Sequence, residues 1–510
     1  MLVALVAGLT SIYLTVLWGG LNAPTVWHDE AAYLLQAKLF SRGEWCAPGA
    51  SMPDFFAQYH VVVTPFLAAK YPPGQALSLV PGIWLGVPGL MPVLLGGLTG
   101  ALIFVLARAI SGTKVGLLTW LIWAASPLVV RFEPSYMSEV TSAAALCMAW
   151  GCLQQYLTSK NAAWLSALAG LLGWCGLTRP LTALAVCVPI VVVALPTAHR
   201  QRQFRFLFLG VGVAVGILSI GAFYNRNTTG DWTLSPYRLY TEQNMPWDRP
   251  GFGLDTTAPT LPQPPEMGVF ARSFEELHRA HRVSRLGAIA FRRSVALAQE
   301  AWGLLLPLLA PMAMLGLAVA PRRVVWFGVA TLACSISAYL IYAHPLSWSV
   351  YYLEVSPFLA YFAAAGLAAV IQKFEAGKRQ GGYVVSGHLL LRRAAWVLCL
   401  GGLLILSSQV TVAIEVDRQA ARIENAAFAK AIETIRDSAI VFVDYGPQHV
   451  PHRSLIQAKD DLSRERLWTV HDLGARNSDL TKAFPNRKAY RYIQSNGQLV
   501  RYTSLPMPIQ

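Results

Sequence analysis

Two adjacent carboxylates, Asp29 and Glu30, follow the first hydrophobic segment of the chain, in the stretch NAPTVWHDEAAYLLQAKLFSRGEW. Ionised carboxylates close to hydrocarbon are costly, so this pair needs a partner or a function. A carboxylate held at a membrane surface beside an imidazole, here that of His28, is placed to take a proton from a hydroxyl or to bind a divalent cation. The alternative is structural: Asp29 caps a short helix from Glu30 to Ser41, and the helix dipole favours Glu30 in its first turn.

Two other segments offer cations for an anionic ligand. Lys70 and Tyr71 precede the paired prolines of AKYPPGQALSL and are candidates for binding a lipid phosphate, or they mark a helix entry with Lys70 as an interfacial anchor. Arg179, in GLTRPLTAL, lies between two apolar runs and is a candidate phosphate ligand or a partner for Glu139. A helix-end arginine that reaches toward water is an equally good interpretation.

The remaining candidates are polar or aromatic residues near the ends of apolar runs. The predicted substrate pocket comprises His28, His60, Glu139, Arg238, His344, Tyr352 and Glu354. An aromatic belt at the membrane surface, or an ordinary ordered loop, also explains several of them. Six of the seven cysteines lie in apolar runs and no His/Cys spacing suits a metal, so Asp29 and Glu30 are the candidate metal ligands.

Composition defines the class of protein. Of the 510 residues 55% are hydrophobic and only 13% are charged, whereas a soluble domain carries about 25% charged residues. Apolar runs of about 16–20 residues recur, which predicts an all-α polytopic membrane protein. The net charge of +14 arises from Lys and Arg in short loops, the pattern that orients membrane helices, so no nucleic-acid partner is expected.

The basic loops also predict the topology. They fall on one side of the membrane only if 75–88 lies in the interface and is separated from the next span by a break at Gly86-Val87-Pro88-Gly89. About eleven transmembrane helices then follow, with the N-terminus cytoplasmic and the C-terminal domain extracytoplasmic. The predicted spans are 2–21, 91–109, 115–132, 138–157, 162–177, 181–196, 205–223, 302–320, 324–342, 355–371 and 394–413.

Three segments lie outside these spans. The first two are the outer loops 22–74 and 224–300, and the second contains a predicted basic amphipathic helix within 271–302. The third, 414–510, opens with a polar helix and contains strand-like segments such as AIVFVDYG, which predicts a small extracytoplasmic α/β domain. The predicted division is therefore a transmembrane domain at 1–413, including both loops, and a C-terminal domain at 414–510.

The order of these motifs resembles the C-type membrane glycosyltransferases that use polyprenyl-phosphate sugars. The nearest branches are the protein O-mannosyltransferase-like proteins and the aminoarabinose transferases of lipid A. The resemblance extends from about residue 10 to 370 and rests on HDEAAYLLQAKLFSRGEW, YPPGQALSLVPGIWLG, SYMSE, GLTRP, YNRNTTGDWTLSPYRLY and YYLEVSPFLA.

The resemblance implies an inverting glycosyltransferase that moves a sugar from a polyprenyl phosphate to an acceptor hydroxyl at the outer face of a membrane, such as the bacterial inner membrane. Asp29 would be the general base, with Glu30 as its neighbour, while Lys70, Tyr71 and Arg179 would bind the donor phosphate. The aminoarabinose transferases carry a Lys directly before the Pro-Pro turn, where this chain has Tyr71 with Lys70 one residue earlier. The acceptor would be a glycan, lipid or protein, and a divalent metal ion is the one candidate cofactor.

Three other functions fit the same residues. A flippase or transporter of lipid-linked sugars would use the same ligands, although it needs a site near the midplane between repeated halves. A ligase that moves a whole glycan would share the donor chemistry but would need a larger acceptor groove. An inactive scaffold that displays the 414–510 domain is the last alternative.

Overall fold

The computed structural model describes residues 1–377, 412, 415–416, 418–446, 449–457 and 461–502, and the protein is mostly helical over them. In chain order the helices are α1 (Leu2–Leu17), α2 (His28–Ser41), α3 (Gly74–Trp84), α4 (Leu90–Ala124), α5 (Pro127–Phe132), α6 (Ser138–Ser159), α7 (Ala163–Thr178), α8 (Pro180–Arg200), α9 (Phe204–Thr229), α10 (Pro236–Asn244), α11 (Pro265–Ala280), α12 (Leu286–Trp302), α13 (Leu306–Val319), α14 (Arg322–Ala338), α15 (Ser356–Gly377), α16 (418–432) and α17 (Asn477–Ala483).

Within the described residues, six helical segments are long and apolar enough to cross a membrane, which makes the chain an integral membrane protein. They are Leu90–Ala124, Pro180–Arg200, Phe204–Thr229, Val283–Val319, Arg322–Ile341 and Ser349–Lys373. Two further apolar helices, Leu2–Leu17 and Ala163–Thr178, are shorter. The predicted total of eleven spans stays a prediction, and the predicted span at 394–413 falls almost entirely outside the described residues.

Breaks in the apolar sequence coincide with breaks in the helices. Helix α3 ends at Trp84 and α4 begins at Leu90, on either side of the predicted Gly-Val-Pro-Gly break. Helix α4 is itself two helices that meet at Gly112, whose φ of +85° is a left-handed conformation that suits glycine. This break lies between the predicted spans 91–109 and 115–132.

The chain divides into two compact units, which we name by their content. The helical unit comprises residues 1–23, 89–219 and 282–414. The loop unit comprises 24–88, 220–281 and 415–510. The loop unit thus joins most of both predicted outer loops to the C-terminal segment, whereas the predicted division kept the loops with the membrane domain. That division into domains stays a prediction.

Small residues bring helices close together in the helical unit. Helices α13 and α15 meet at Gly316 and Gly366, where an added Cβ atom would collide with the carbonyl oxygens of Phe362 and Met312 respectively. Helix α4 presents Gly96, Gly97 and Gly100 to Leu14, Ser11 and Thr10 of α1. Such contacts suit helices inside a membrane, where close packing replaces the hydrophobic driving force.

Two small sheets shape the loop unit. The first has the order β1-β3-β2, is antiparallel and consists of β1 (Ala47–Pro48), β2 (Val61–Val62) and β3 (Phe66–Ala69). The second has the order β5-β4-β6-β7 and consists of β4 (Ala439–Asp444), β5 (Leu467–His471), β6 (Lys488–Ile493) and β7 (Gln498–Arg501). In it β4 runs parallel to β5 and β6, and β7 runs antiparallel to β6.

One apolar core joins the N-terminal and C-terminal parts of the loop unit. Ala32, Leu35 and Leu39 recur on one face of α2 with the spacing of a helix. They belong to the same buried cluster as Ile440 and Phe442 of β4. The C-terminal sheet therefore supports the helix that begins with His28, Asp29 and Glu30.

The predicted amphipathic helix within 271–302 is wrong as a single element. The structure breaks it after Ala280, and a short 3-10 turn at Val283–Arg285 precedes α12. Helix α11 lies in the loop unit and α12 in the helical unit, so the two halves belong to different cores. Both halves contain basic and apolar residues, so composition alone does not reveal the break.

Candidate functional site

Glu30, not Asp29, caps helix α2. The Glu30 carboxylate accepts hydrogen bonds from the backbone N–H groups of Val26 at 2.7 Å and Trp27 at 3.1 Å. These donors precede the helix and lack an intrahelical partner, so the side chain satisfies them. The expectation that Asp29 caps the helix was wrong, because Asp29 lies inside the first turn and its side chain makes other contacts.

Asp29 lies between a phenol and an imidazole. The Tyr71 hydroxyl donates a short hydrogen bond to one carboxylate oxygen of Asp29. The other carboxylate oxygen lies 3.7 Å from Nε2 of His60. A quarter of the Asp29 side chain stays exposed, at 25%, so an incoming hydroxyl can reach the carboxylate.

The β2–β3 hairpin and one glutamine position these partners. The register that pairs Val61 with Ala69 places His60 beside Lys70, whose N–H donates to the His60 carbonyl at 2.9 Å. Gln36 of α2 accepts from the backbone N–H of Ala69 at 3.0 Å, which ties the helix to β3. Gln36 lies two turns after Asp29 on the same face, so this link fixes Asp29 against Tyr71, two residues beyond Ala69.

Lys70 is a buried cation in an aromatic cage. Its ammonium lies 5.3 Å, 4.7 Å and 5.0 Å from the ring centroids of Tyr71, Tyr237 and Tyr240. Its nearest carboxylate oxygen belongs to Asp248, at 3.7 Å. Burial lowers the pKa of Lys70 below its usual range, while Asp248 and Asp29 oppose that shift. The cage attracts the cation through the ring faces, and Asp248 is its ion-pair partner.

The imidazoles beside Asp29 are neutral at physiological pH. His28 is stacked between Tyr59 and His452, with ring centroids 4.5 Å and 4.3 Å away, and lies 4.7 Å from His60. Burial, with His452 and Lys70, lowers the pKa of His28 to about 3. Burial and then Lys70 hold the pKa of His60 well below its usual value. Each ring is therefore uncharged and resists protonation.

The Asp29 carboxyl is ionised over the physiological range. Burial alone would raise its pKa, but His60, His28, the Tyr71 hydroxyl and Lys70 together lower that pKa below its usual range. With neutral imidazoles, the charges in this cluster are two carboxylates, Asp29 and Asp248, and one ammonium, Lys70. The cluster is thus an anionic centre with a single caged cation.

Three ligand atoms in this cluster have the spacing of a metal site. One side-chain atom each of His28, Asp29 and His60 lies within 4.8 Å of the other two. Nδ1 of both histidines is buried and has no hydrogen-bond partner among the described residues, and two imidazoles with a carboxylate suit zinc. The predicted metal pair was Asp29 with Glu30, but the Glu30 carboxylate is engaged by backbone N–H groups.

A pocket in the loop unit opens beside His28. It is lined by one face of α2, by the turn before β2 and by the segment at 454–457. Its lining is partly polar, with Lys38, Gln58, Ser454 and Gln457, and otherwise mainly apolar. Neither Asp29 nor Lys70 lines it, and His28 together with its stacking partner Tyr59 connects this pocket to the Asp29 cluster.

Arg179 is the centre of a separate buried network in the helical unit. Its guanidinium pairs closely with Glu139 and lies 2.9 Å from a carboxylate oxygen of Glu354. It also donates to the hydroxyls of Tyr339 at 2.7 Å and Thr182 at 3.2 Å. The prediction that Arg179 shares a cavity with Asp29 and Lys70 stays a prediction, since these residues belong to different units.

The other predicted pocket residues belong to the helical unit, except Arg238. In the helical unit, Nε2 of His344 is 3.3 Å from the Tyr352 hydroxyl, and its Nδ1 is 2.8 Å from the Pro345 carbonyl. Arg238 in the loop unit has 72% of its side chain exposed and pairs with Glu242 at 2.9 Å, one helical turn away. Within the loop unit, the structure thus gathers His28, His60 and Tyr71 around Asp29, with Lys70 in the adjoining cage.

Sequence reasoning missed five contributors to the cluster: Tyr59, Tyr237, Tyr240, Asp248 and His452. Tyr59 lies in the same loop as Asp29, whereas the other four come from segments far along the chain and reach the cluster only through the fold. The mixture of aromatic and charged residues in NTTGDWTLSPYRLYTEQNMPW was the one signal that pointed to Tyr240.

A family model and several solved structures match this chain. The family model of the dolichyl-phosphate-mannose-protein mannosyltransferases matches residues 88–222. The fold is similar to that of ArnT from Cupriavidus metallidurans bound to undecaprenyl phosphate, with a TM-score of 0.55, 16% identity, and coverage of 96% of this chain and 92% of that one. For the apo state of ArnT the TM-score is 0.57 at 14% identity with the same coverage. No curated protein matches the chain at a significant level.

These matches confirm the resemblance to C-type glycosyltransferases. The structural likeness, at such low identity, concerns the fold. The sequence match covers mainly the helical unit and ends before the second part of the loop unit begins to contribute Tyr237, Tyr240 and Asp248. The Asp29 cluster therefore has to be judged on its own geometry.

Proposed function

We propose that the protein is an inverting glycosyltransferase that moves a sugar from a polyprenyl-phosphate donor to an acceptor hydroxyl at the outer face of the membrane. The observation that carries the proposal is the meeting of an ionised, partly exposed carboxylate, Asp29, with a buried and caged ammonium, Lys70. A base for a hydroxyl and a cation for a phosphate are the two groups that this reaction needs.

Lys70 is the proposed ligand of the donor phosphate. Its ammonium is screened from water by three tyrosine rings, so an anion that reaches it meets a stronger field than at an exposed lysine. The Tyr71 hydroxyl joins this group because it lies between Asp29 and the cage. We keep Arg179 as a second candidate, although two carboxylates already engage its guanidinium.

Asp29 is the proposed general base. As the acceptor oxygen attacks the anomeric carbon, its proton passes to Asp29 and the bond from that carbon to the phosphate oxygen breaks. The polyprenyl phosphate leaves with the bonding electrons, so the anomeric configuration inverts. The proton becomes acidic only as the new bond forms, which allows a carboxylate of low pKa to accept it late in the step. Glu30 supports this geometry by capping the helix.

The charge of the leaving group determines which kind of catalysis the protein has to supply. A phosphate monoester is already a good leaving group, so it needs stabilisation of its developing charge and no protein acid. Lys70 supplies that charge from a fixed position. The pocket beside His28 is the proposed place for part of the acceptor, because it shares His28 with the Asp29 cluster.

The test is turnover of the purified protein in detergent with a panel of polyprenyl-phosphate sugars. We expect product with at least one donor, and we expect Asp29→Asn to lower turnover by about 10³-fold, since general-base catalysis contributes on the order of 10²–10⁴. Turnover without a sealed membrane also separates an enzyme from a flippase.

Asp231→Asn is the matched control, because it is the same substitution at an exposed turn of the same unit. It should leave turnover unchanged. A folded Asp29→Asn protein that works at a rate close to that of the unmodified protein would refute the assignment of the base.

A further inference from the structure

Asp248 holds the position from which an anion would contact Lys70. A buried ammonium without a counterion is strongly destabilising, and Asp248, only 8% exposed, is its nearest carboxylate. The separation of 3.7 Å satisfies the charge but exceeds the length of a good charge-assisted hydrogen bond, about 2.8 Å. Asp248 is therefore a loose partner for Lys70.

The cage limits how many anions can approach Lys70. The ring centroids of Tyr71, Tyr237 and Tyr240 lie 5.3 Å, 4.7 Å and 5.0 Å from the ammonium, within the range of a cation–π contact. A carboxylate oxygen of Asp248 lies 3.7 Å from the same ammonium. A phosphate that came to the same ammonium while Asp248 stayed would place two anions side by side in a poorly hydrated site, where their repulsion is strong.

The segment that carries Asp248 is less regular than the helix that carries two of the cage residues. Asp248 is the last residue of a single 3-10 turn, Pro246–Asp248. Gly253, five residues later, has a φ of +84°, a left-handed conformation in a stretch without helix or strand. By contrast, Tyr237 and Tyr240 are held within helix α10.

We propose that Asp248 is an internal competitor of the donor: it neutralises Lys70 in the free enzyme and is displaced by the donor phosphate. The inference rests on the proposed function, because it takes Lys70 as the phosphate ligand. After transfer, the return of Asp248 to Lys70 would help to expel the polyprenyl phosphate product. Asp248 is thus a positioning residue that sets affinity and release rather than the chemical step.

The test is equilibrium and kinetic binding of polyprenyl phosphate to the purified protein. Asp248→Asn removes the competing charge, so we expect about tenfold tighter binding and slower dissociation, a tenfold change being about 1.4 kcal/mol. A merely structural role would move the affinity the other way. Asp248→Glu restores the carboxylate and should return the affinity toward that of the unmodified protein.

Asp255→Asn is the matched control, since Asp255 lies in the same loop and pairs with Arg249 at 3.5 Å, far from full burial. It should leave the affinity unchanged. If the unmodified protein binds polyprenyl phosphate but Asp248→Asn binds it equally or more weakly, the competitor role is overturned and the proposed function stands. If the unmodified protein does not bind polyprenyl phosphate at all, the proposed function fails, and this inference with it.

Discussion

The two units each bury an ionic cluster, but the clusters are built differently. In the helical unit, Arg179 is held by two carboxylates and three hydroxyls at hydrogen-bond distance. In the loop unit, Lys70 is held by ring faces and by one carboxylate at 3.7 Å. The donors of the Arg179 guanidinium are engaged in hydrogen bonds, whereas the Lys70 ammonium can still attract a further anion.

This contrast separates a structural network from a reactive one. A buried guanidinium whose donors are satisfied by fixed carboxylates costs a great deal to rearrange. A buried ammonium that relies on aromatic faces can exchange one anion for another without breaking a close hydrogen bond. Residue type alone would have ranked Arg179 above Lys70 as a phosphate ligand, and geometry reverses that order.

The largest expected effect is on Lys70. Lys70→Met keeps much of the side-chain volume within the cage and removes the charge, so we expect about 100-fold weaker binding of polyprenyl phosphate, because a hydrogen bond to a charged group contributes about 1.5–3 kcal/mol. Lys482→Met, at an exposed position of α17, is the control and should bind as the unmodified protein does. Unchanged affinity of a folded Lys70→Met protein would end the contrast between the clusters.

Arg179→Met should act on stability instead of ligand affinity. It leaves the Glu139 and Glu354 carboxylates buried without their cation, which costs about 3 kcal/mol or more. We expect a lower midpoint of thermal unfolding and an unchanged dissociation constant for polyprenyl phosphate in the folded fraction. Adding Glu139→Gln and Glu354→Gln should recover part of the loss.

The opposite outcome for Arg179→Met would assign Arg179 to the donor site. If the Arg179→Met protein unfolds at the normal temperature but binds polyprenyl phosphate poorly, Arg179 is a phosphate ligand, as the sequence predicted. The two clusters would then be parts of a single donor site.

Glu30→Ala should have the smallest effect. The variant loses the carboxylate that accepts from two backbone N–H groups before α2, and the loss of a helix cap costs about 1 kcal/mol. We expect a small decrease in the unfolding midpoint and turnover per folded molecule within a few-fold of normal. Abolished turnover in a folded Glu30→Ala protein would instead place Glu30 with Asp29 in the chemistry.

Much of the fold was predictable because it depends on local patterns. The long apolar runs predicted membrane helices, and the glycines and proline at 86–89 predicted the end of one helix and the start of another. Strands β4, β5 and β6 lie in segments whose residues favour strands. What failed was also local: capping by Asp29 and by Glu30 are equally allowed by the sequence, and only backbone geometry distinguishes them.

The site was half predictable for a physical reason. Asp29, His28, His60, Lys70 and Tyr71 lie within one loop, so their types and order could be read directly. Asp248 and His452 join them through packing between distant segments, which leaves no periodic trace in the sequence. Likewise, residue types could not reveal that Glu139 and Glu354 both engage Arg179.

The glycine contact between α13 and α15 bears on how a long hydrocarbon tail could gain access to the helical unit. A methyl group at either Gly316 or Gly366 would strike the backbone of the opposite helix, so the two backbones are already at their limit of approach. Neither helix can turn about its own axis without presenting a larger side chain to that contact. This pair therefore holds α13 and α15 at a fixed separation, so any gap that admits a lipid must open between other helices.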